Sequence, residues 1–182
     1  MNELNIDIPK SIKHRELCFN RSIVNKILEN FLIPLSLIFF LYVTSVYFYD
    51  DIIRGQSYKI SLPIFLLIIT ICILYLITLT KTYSLDKIIG ISEIQNSRLV
   101  KEIVSENNWD IQSSNNQLDI LEIPFTKTLN RHNKQIIVIY NGNDILINCV
   151  SFTRQKEPNP FKYYSNRKVT KEFKKLFAKK NK

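Results

Sequence analysis

Two long apolar runs dominate the pattern of hydrophobic and polar positions along the chain. They extend over residues 31–49 and 62–80, and neither contains an Asp, Glu, Lys, Arg or His. Each run has 19 residues, and a helix of that length reaches about 28 Å, close to the roughly 30 Å of a hydrocarbon core. Because lipid offers the backbone no hydrogen-bonding partners, such runs become helices. The pattern therefore predicts a membrane helical hairpin of two transmembrane helices within residues 31–80.

The residues before the hairpin show a weaker pattern, in which apolar side chains recur every three to four residues from residue 11 onward. Three polar residues interrupt this stripe, namely Lys13, Glu16 and Asn20. A helix of this kind lies in the membrane interface with its apolar side down, or it packs on a soluble domain, and the pattern is compatible with both. Residues 1–30 are therefore predicted to be an N-terminal cytoplasmic segment with an amphipathic helix over residues 11–30.

Beyond residue 80 the apolar runs become short and periodic, as in a soluble domain. The sequence Ser-Glu-Ile-Gln at residues 92–95 matches a capping box and predicts a helix that ends near residue 108. Four short runs of strand type follow, and residues 166–182 again have helical spacing. Residues 85–182 are thus predicted to form a small cytoplasmic α+β domain with the order α-β-β-β-β-α, an antiparallel meander with helices on one face. A further strand near residues 82–85 is also compatible with the pattern.

The clearest turn signal is Asn141-Gly142, which lies between two β-branched runs. A type I′ turn requires a positive φ at both central residues, and Asn-Gly is a pair that adopts it readily. The alternation of the flanking residues then gives the hairpin two faces. One face carries Ile136, Val138, Tyr140, Ile145, Ile147 and Cys149, and the other carries Ile137, Ile139, Asp144, Leu146 and Asn148. This hairpin is predicted to lie at the centre of the sheet.

An earlier pair of predicted strands, residues 109–114 and 117–123, is separated by the turn-like residues Asn115 and Asn116. With a two-residue turn, one face carries Trp109, Ile111, Leu118 and Ile120, and the other carries Asp110, Gln112 and Asp119. The polar face is either an ordinary solvated surface or, through Asp110 and Asp119 with Glu122 nearby, a site for an acid–base pair. The solvated surface is the favoured interpretation.

The net charge of +9 lies entirely in the last 29 residues. Residues 154–182 contain eleven Lys or Arg and two Glu, whereas residues 1–153 contain fourteen basic and fourteen acidic residues. In the predicted final helix, Val169, Phe173, Leu176 and Phe177 recur on one side, and lysines occupy most other positions. The domain is therefore predicted to end in a basic amphipathic helix.

Three interpretations of this basic helix are compatible with its sequence. Its apolar side packs on the sheet while the lysines face water, or the lysines contact anionic lipid, where each is worth about 1 kcal/mol. In the third, the lysines bind nucleic acid together with Phe161, Tyr163 and Tyr164. The first two are compatible with each other, and nucleic acid is the least favoured partner. The candidate lipid-contacting residues are Lys168, Lys171, Lys174, Lys175 and Lys179.

Lys and Arg are distributed unequally around the two apolar runs. Five lie in residues 10–30, two in residues 50–61 and eighteen after residue 80. Because positively charged segments are retained in the cytoplasm, both termini are predicted to be cytoplasmic and the short loop to lie outside. A signal peptide is disfavoured, since the leader is long and no small-residue cleavage site follows the first run. The expected location is the cell membrane, in a multi-pass arrangement.

No pattern in the sequence indicates catalysis, a cofactor or a metal. It contains no glycine-rich phosphate loop, no dinucleotide fingerprint, no His-Glu-x-x-His and no Gly-x-Ser-x-Gly. His14 and His132 have no partner at metal-ligand spacing. A nucleophilic pair of Cys149 and His132 is a remote alternative, because Cys149 lies on an apolar strand face. The sequence therefore predicts no catalytic, cofactor-binding or metal-binding residues.

Two stretches of the soluble part carry a resemblance to known proteins. They are Asn108-Trp109-Asp110-Ile111 at a strand start and the tail Tyr164-Ser165-Asn166-Arg167-Lys168-Val169-Thr170-Lys171-Glu172-Phe173. Together with the two hairpins, they resemble a group of small two-span bacterial membrane proteins that have a cytoplasmic α+β domain and no known activity. The resemblance implies the same fold and a bacterial inner membrane, and it implies no reaction.

These observations together predict a non-enzymatic, membrane-tethered binding or scaffold module. Its expected partners are membrane lipids and a protein of the membrane or the cytoplasm. The alternative is an accessory subunit of a membrane complex, in which the hairpin itself is the interaction surface. An enzyme is the third possibility.

Overall fold

The computed structural model describes residues 6–20, 33–55, 58–124, 134–152 and 159–181. The chain divides into two compact units. One unit contains residues 21–77, and the other is discontinuous in sequence, because it combines residues 1–20 with residues 78–182. We call the first the helical unit and the second the α+β unit.

The described elements comprise five helices and five strands. In chain order they are α1 (Ile8–His14), α2 (Ile33–Ile53), α3 (Tyr58–Thr82), β1 (Asp86–Ile89), α4 (Glu93–Glu106), β2 (Asp110–Ser114), β3 (Leu118–Ile123), β4 (Lys134–Asn141), β5 (Asp144–Ser151) and α5 (Tyr163–Lys180).

Helix α2 and most of α3 form the helical unit. The helices have 21 and 25 residues, which correspond to lengths of about 31 Å and 37 Å. Between them, Gly55 has a φ of +64°, a conformation that glycine adopts without the steric cost of a Cβ. Phe48 of α2 stacks on Phe65 of α3 with 5.1 Å between the ring centroids. Many large apolar side chains on both helices are exposed, for example Phe39 and Leu67.

The helical unit provides one helix that is long and apolar enough to cross a membrane. Among the described residues, the stretch Leu35–Ile53 has the required length and composition, and its side chains are not buried by the rest of the protein. The apolar stretch described in α3, Leu62–Thr78, is shorter. The prediction of two transmembrane helices, at residues 31–49 and 62–80, is thus met by one candidate span, and the second span is not confirmed.

The α+β unit is built on a five-stranded antiparallel sheet with the strand order β1-β5-β4-β3-β2. Strands β2 to β5 form the predicted meander, in which each strand pairs with the next. Strand β1 pairs with β5 along the opposite edge, for example Asp86 with Ile147. The predicted order α-β-β-β-β-α lacks this strand, which lies at residues 86–89 and not at residues 82–85, where α3 ends.

Helices α4 and α5 lie on one face of the sheet, the first face, as predicted. Ser92 caps α4, because its side-chain oxygen accepts a hydrogen bond from the backbone N–H of Gln95. The apolar sides of both helices bury the same core against the strands. Their contributions to it are Val100, Ile103 and Val104 from α4 and Phe173 and Phe177 from α5.

The second face of the sheet is covered by residues 6–20, which include helix α1. Their apolar side chains contact strand residues in a separate core, and the main members of this core are Leu17, Leu118, Ile120, Ile137, Ile139, Leu146 and Val150. The backbone of the segment also pairs with the residues between α3 and β1, since the N–H of Leu17 donates to the carbonyl of Tyr83. Helices therefore lie on both faces of the sheet, and the prediction of helices on one face only is wrong.

The amphipathic helix predicted over residues 11–30 already ends at His14. Arg15 has a φ of +55° and forms the C-cap of α1, and residues 15–20 are not helical. Glu16 forms a β-bridge with Ser84. Residues 21–32 lie outside the described part of the chain. Of the two alternatives for this segment, packing on the α+β unit is the one that residues 6–20 adopt.

The hairpin of β4 and β5 has the two faces predicted from its alternation. Ile136 and its alternating neighbours belong to the core of the first face, and Ile137 and its neighbours belong to the core of the second. The turn is centred one residue later than predicted, because Asn141 pairs with Asp144 and leaves Gly142 and Asn143 as the central residues. Of these two, Gly142 alone has a positive φ, at +59°, so the predicted type I′ turn is not formed.

A β-bulge changes the faces of the β2–β3 hairpin. Gln112 is an extra residue of β2 between two registered pairs with β3, and such an insertion reverses the alternation of the strand. Leu118 and Ile120 consequently lie on the second face, whereas Trp109 packs against the core of the first face. The prediction that these three residues share one face is wrong. The solvent exposure predicted for Asp119 is also wrong, because this residue is 1% exposed.

Candidate functional site

The basic helix α5 follows a 3₁₀ turn at Pro160–Lys162. Its buried stripe consists of Asn166, Thr170, Phe173 and Phe177. These positions recur at intervals of three and four residues and therefore lie on one side of the helix. The apolar side of α5 docks on the sheet, as the first interpretation of the basic helix predicts.

Acidic residues of the α+β unit pair with basic residues on both flanks of α5. A carboxylate oxygen of Asp86 in β1 lies 2.5 Å from the guanidinium of Arg167, and the other lies 3.4 Å from the ammonium of Lys174. On the opposite flank, the ammonium of Lys180 lies 2.6 Å from a carboxylate oxygen of Glu106. This hydrogen bond raises the pKa of Lys180. The pairs orient α5 and engage the acidic groups beside it.

Four lysines project from the side of α5 that faces away from the sheet, and all four are exposed. We call them the lysine face, and they are Lys168, Lys171, Lys175 and Lys179. Among the described residues, none of the four forms an ion pair, in contrast to the flanking lysines. The fifth predicted lipid contact, Lys174, is half-buried and donates a hydrogen bond to Asp86. Lys174 therefore belongs to a flank and not to the lysine face.

An open groove of about 1190 Å³ lies between α4 and the β2–β3 turn. The residues on its helix side include Ile94, Ser97, Lys101 and Ser105, and Asn115 and Asn116 lie on its turn side. Its ionisable side chains are two acidic and two basic, namely Glu93, Glu102, Arg98 and Lys101. The groove therefore offers mixed polar and apolar contacts without a net charge that would select an anion or a cation.

Asp119 of β3 and Tyr140 of β4 form a buried polar pair in the α+β unit. The Tyr140 hydroxyl donates a hydrogen bond to Oδ2 of Asp119 at 2.5 Å. Oδ1 of Asp119 is buried and accepts no hydrogen bond from the described residues. Burial and, secondly, the hydrogen bond to Asp119 raise the pKa of Tyr140 above its ordinary value. A phenol with a raised pKa stays protonated near neutral pH, so this pair is a structural link between strands.

The carboxylates of the predicted acid–base alternative are not brought together. Asp110 is exposed and pairs in register with Glu122, whereas Asp119 is buried beneath the first face. The bulge at Gln112 causes this difference. Residues before the bulge and residues after it that are an even number of positions apart face opposite sides of the sheet. The pair of Asp110 and Asp119 is therefore wrong as an acid–base site. The partner that sequence reasoning missed is Tyr140, and the available signal was a tyrosine in a core stripe, where its hydroxyl needs a partner.

The nucleophilic pair of Cys149 and His132 is disfavoured by the state of the thiol. Cys149 is buried in the core of the first face, and burial raises its pKa to about 12. Because the thiolate is the nucleophile, a thiol with this pKa is inert at neutral pH. His132 lies outside the described residues, and His14 is exposed at the end of α1. Within the described part of the chain, no three His, Cys, Asp or Glu residues are placed to hold a metal ion.

Comparisons of the chain with protein-family models, with curated proteins and with solved structures found no match. The resemblance to two-span bacterial membrane proteins therefore rests on the quoted sequence stretches alone.

Proposed function

We propose that this chain is an integral membrane protein whose α+β unit is a non-enzymatic binding or scaffold module held at the membrane surface. The observation that carries the proposal is the division of the chain into two kinds of unit. The helical unit exposes large apolar side chains along α2, which is unfavourable in water and favourable in lipid. The α+β unit buries its own apolar core on both faces of its sheet.

The discontinuity of the α+β unit supports a two-span hairpin. Residues 6–20 precede the helical unit and pack on the same sheet as residues that follow it. The two chain segments that enter and leave the helical unit must therefore lie on one side of a membrane. A single crossing by α2 would place them on opposite sides, so an even number of crossings is required. Helix α3 supplies the second crossing, since its 25 residues correspond to about 37 Å.

The distribution of Lys and Arg supports a cytoplasmic position for both termini. The short connection between α2 and α3 carries few basic residues, whereas eighteen follow residue 80. Two reporters fused after Lys182 test this orientation. Green fluorescent protein, which folds in the cytoplasm, is expected to be fluorescent, and alkaline phosphatase, which needs the periplasm, is expected to be inactive. The reverse pattern would overturn the orientation.

We expect the partner of the module to be a lipid surface or a protein. Among the described residues, the two surface features of the module that could bind it are the lysine face and the groove beside α4. The runner-up is an accessory subunit of a membrane complex, which the exposed apolar side chains of α2 favour. Photo-crosslinking residues placed at Lys171, Asn116 and Ile38 separate these functions. Capture of lipid or protein from Lys171 or Asn116 supports the module. Capture of proteins from Ile38 alone would reject it in favour of the accessory subunit.

A further inference from the structure

Two exposed aromatic residues extend the lysine face at the start of α5. Phe161 is 79% exposed and Tyr164 is 66% exposed. Tyr164, Lys168, Lys171 and Lys175 follow one another at intervals of four, three and four residues, so they form one line along the helix. From Tyr164 to Lys179 this line measures about 23 Å. Its composition is therefore aromatic at one end and basic along the rest.

Among the described residues, no acidic side chain forms an ion pair with the lysines of this line. Helix α5 contains a single acidic residue, Glu172, which is exposed. The neighbouring carboxylates of Asp86 and Glu106 are engaged by the flanking residues Arg167, Lys174 and Lys180. The ammonium groups of the lysine face are therefore available for anions outside the protein.

We infer that this aromatic and basic line is a docking surface for anionic phospholipid. The inference rests on the proposed function, because it requires the chain to be anchored in a bilayer. Lysines bind the anionic headgroups by charge complementarity, and the rings of Phe161 and Tyr164 enter the headgroup region, which aromatic side chains favour. A flat surface suits the line, since the opposite side of α5 is fixed on the sheet and the lysines project together. The α+β unit is then held against the bilayer at α5 as well as through its chain connections to the hairpin.

The full-length protein in lipid nanodiscs permits a direct test. Nitroxide labels are placed at Ala178→Cys, on the exposed side of α5, or at Ile38→Cys, on α2, in a Cys18→Ser background. Cys72 and Cys149 are buried. The accessibility of each label to oxygen and to a water-soluble nickel complex is compared between zwitterionic nanodiscs and nanodiscs with 30% phosphatidylglycerol. The label on α5 is expected to gain oxygen accessibility and to lose nickel accessibility when the anionic lipid is present.

Matched variants assign this change to the residues of the line. Replacing Lys171 and Lys175 by Gln is expected to lower the ratio of docked to undocked label about 30-fold. Replacing Lys10 and Lys13 by Gln removes the same charge from exposed positions elsewhere and is expected to leave the ratio within about twofold. Phe161→Ser is expected to weaken docking even in high salt, whereas Ile89→Ser, at another exposed apolar position, is not. The unfolding midpoint by Trp109 fluorescence checks that each variant is folded.

The outcomes separate this inference from the proposed function. A label on α2 that stays in water in both nanodiscs rejects the membrane anchor and, with it, the docking surface. A label on α2 that lies in lipid, beside a label on α5 that does not respond to phosphatidylglycerol, rejects the docking surface alone. If the label on α5 responds to a single-stranded RNA oligonucleotide and not to anionic lipid, the line binds nucleic acid and the lipid inference is rejected. Equal effects of the two lysine pairs would show that net charge, and not this line, causes the docking.

Discussion

The buried carboxylate of Asp119 is stabilised by a hydrogen bond from one hydroxyl group. Tyr140 donates the hydrogen bond to Oδ2 of Asp119, and Oδ1 accepts no hydrogen bond from the described residues. Tyr140→Phe therefore leaves a buried carboxylate without this donor. We expect the free energy of unfolding to fall by about 1–3 kcal/mol, the cost of an unsatisfied buried polar group. Urea denaturation followed by the fluorescence of Trp109 measures the change.

The control for this variant is Tyr164→Phe, which removes a hydroxyl from an exposed residue. Its free energy of unfolding is expected to stay within about 0.5 kcal/mol of the wild type. If the two variants are equally stable, the hydrogen bond between Asp119 and Tyr140 is not a stabilising interaction.

The thiol of Cys149 predicts a loss of stability in alkali. Its pKa is raised by burial to about 12 in the folded protein, whereas an unfolded thiol titrates near 8.5 to 9. The folded state thus keeps its proton while the unfolded state loses it, so stability is complete below about pH 9 and falls as the pH rises. The expected slope is about 1.4 kcal/mol per pH unit between pH 9 and pH 12.

The measurement compares urea unfolding at pH 8 and pH 10 for the wild type and for Cys149→Ala. The variant is less stable at both pH values because it has a cavity, but its decrease between them should be smaller by about 1.4 kcal/mol. An identical decrease in both proteins would contradict the buried, protonated state of this thiol.

At the scale of the elements, Gly90 and Gly142 are required in two connections of the α+β unit for different reasons. Gly90 lies between β1 and α4, where an added Cβ would overlap the amide of Asn96. Asn96 accepts a hydrogen bond from the N–H of Ile91 and donates one to the carbonyl of Asn143, so it links α4 to the β4–β5 turn. Gly90→Ala is therefore expected to lower the free energy of unfolding by about 1–3 kcal/mol, through overpacking and the loss of these hydrogen bonds.

Gly142 provides the comparison, because an added Cβ meets no atom there but its φ is +59°. Gly142→Ala is expected to cost about 1 kcal/mol, whereas Gly142→Asn should cost less, since asparagine tolerates a left-handed backbone. At Gly90 the order is reversed, because the larger asparagine clashes more than alanine. Thermal unfolding of the four variants checks this reversal, and the same order at both positions would exclude the steric account of Gly90.

At the scale of the whole molecule, we expect the folding of the α+β unit to depend more on residues 6–20 than on the helical unit. Residues 6–20 cover the second face of the sheet, where Leu17 is 4% exposed and the strand residues beneath it are buried. Deleting residues 1–20 is expected to cost more than about 4 kcal/mol, because several apolar side chains become exposed. Replacing residues 21–77 by a Gly/Ser linker of roughly ten residues should preserve the unfolding midpoint, since the pairing of residues 15–17 with residues 83–85 keeps the two ends close.

Urea unfolding and the exchange of backbone amides in β3 and β4 compare the two deletions. Strong protection in the linker variant and its loss in the variant without residues 1–20 are the expected results. If the N-terminal deletion alone keeps full protection, the segment does not stabilise the sheet.

Local patterns predicted the parts of this fold that depend on local alternation. The faces of β4 and β5 follow from a period of two, and the docked side of α5 follows from spacings of three and four. The bulge at Gln112 could not be predicted from the alternation of polar and apolar residues. An extra residue changes which side chains face the core, but it does not mark its own position in the sequence. The sequence also did not determine that residues 6–20 cover the second face, because their amphipathic pattern is equally compatible with a membrane interface.

Of the five lysines that were predicted to contact lipid, four form the lysine face and the fifth, Lys174, does not belong to it. The spacing of Lys168, Lys171, Lys175 and Lys179 places them opposite the buried stripe of α5. Lys174 lies on a flank of α5, where it pairs with Asp86 of β1. A strand of four residues is too short to show a period, so neither the strand nor its acidic residue was expected there.

The discontinuous α+β unit sets an order of events during synthesis. Residues 6–20 leave the ribosome before the helical unit, and the strands on which they pack are made only after that unit. In the proposed membrane arrangement, the N-terminal segment therefore keeps its apolar side chains uncovered until α2 and α3 have been made and inserted into the bilayer. On the proposed membrane, neighbouring nascent chains expose the same segment and the same uncovered sheet face, so we expect exchange of the segment between copies to be an error of assembly. Rapid release of each finished chain from its neighbours favours the correct, intramolecular closure.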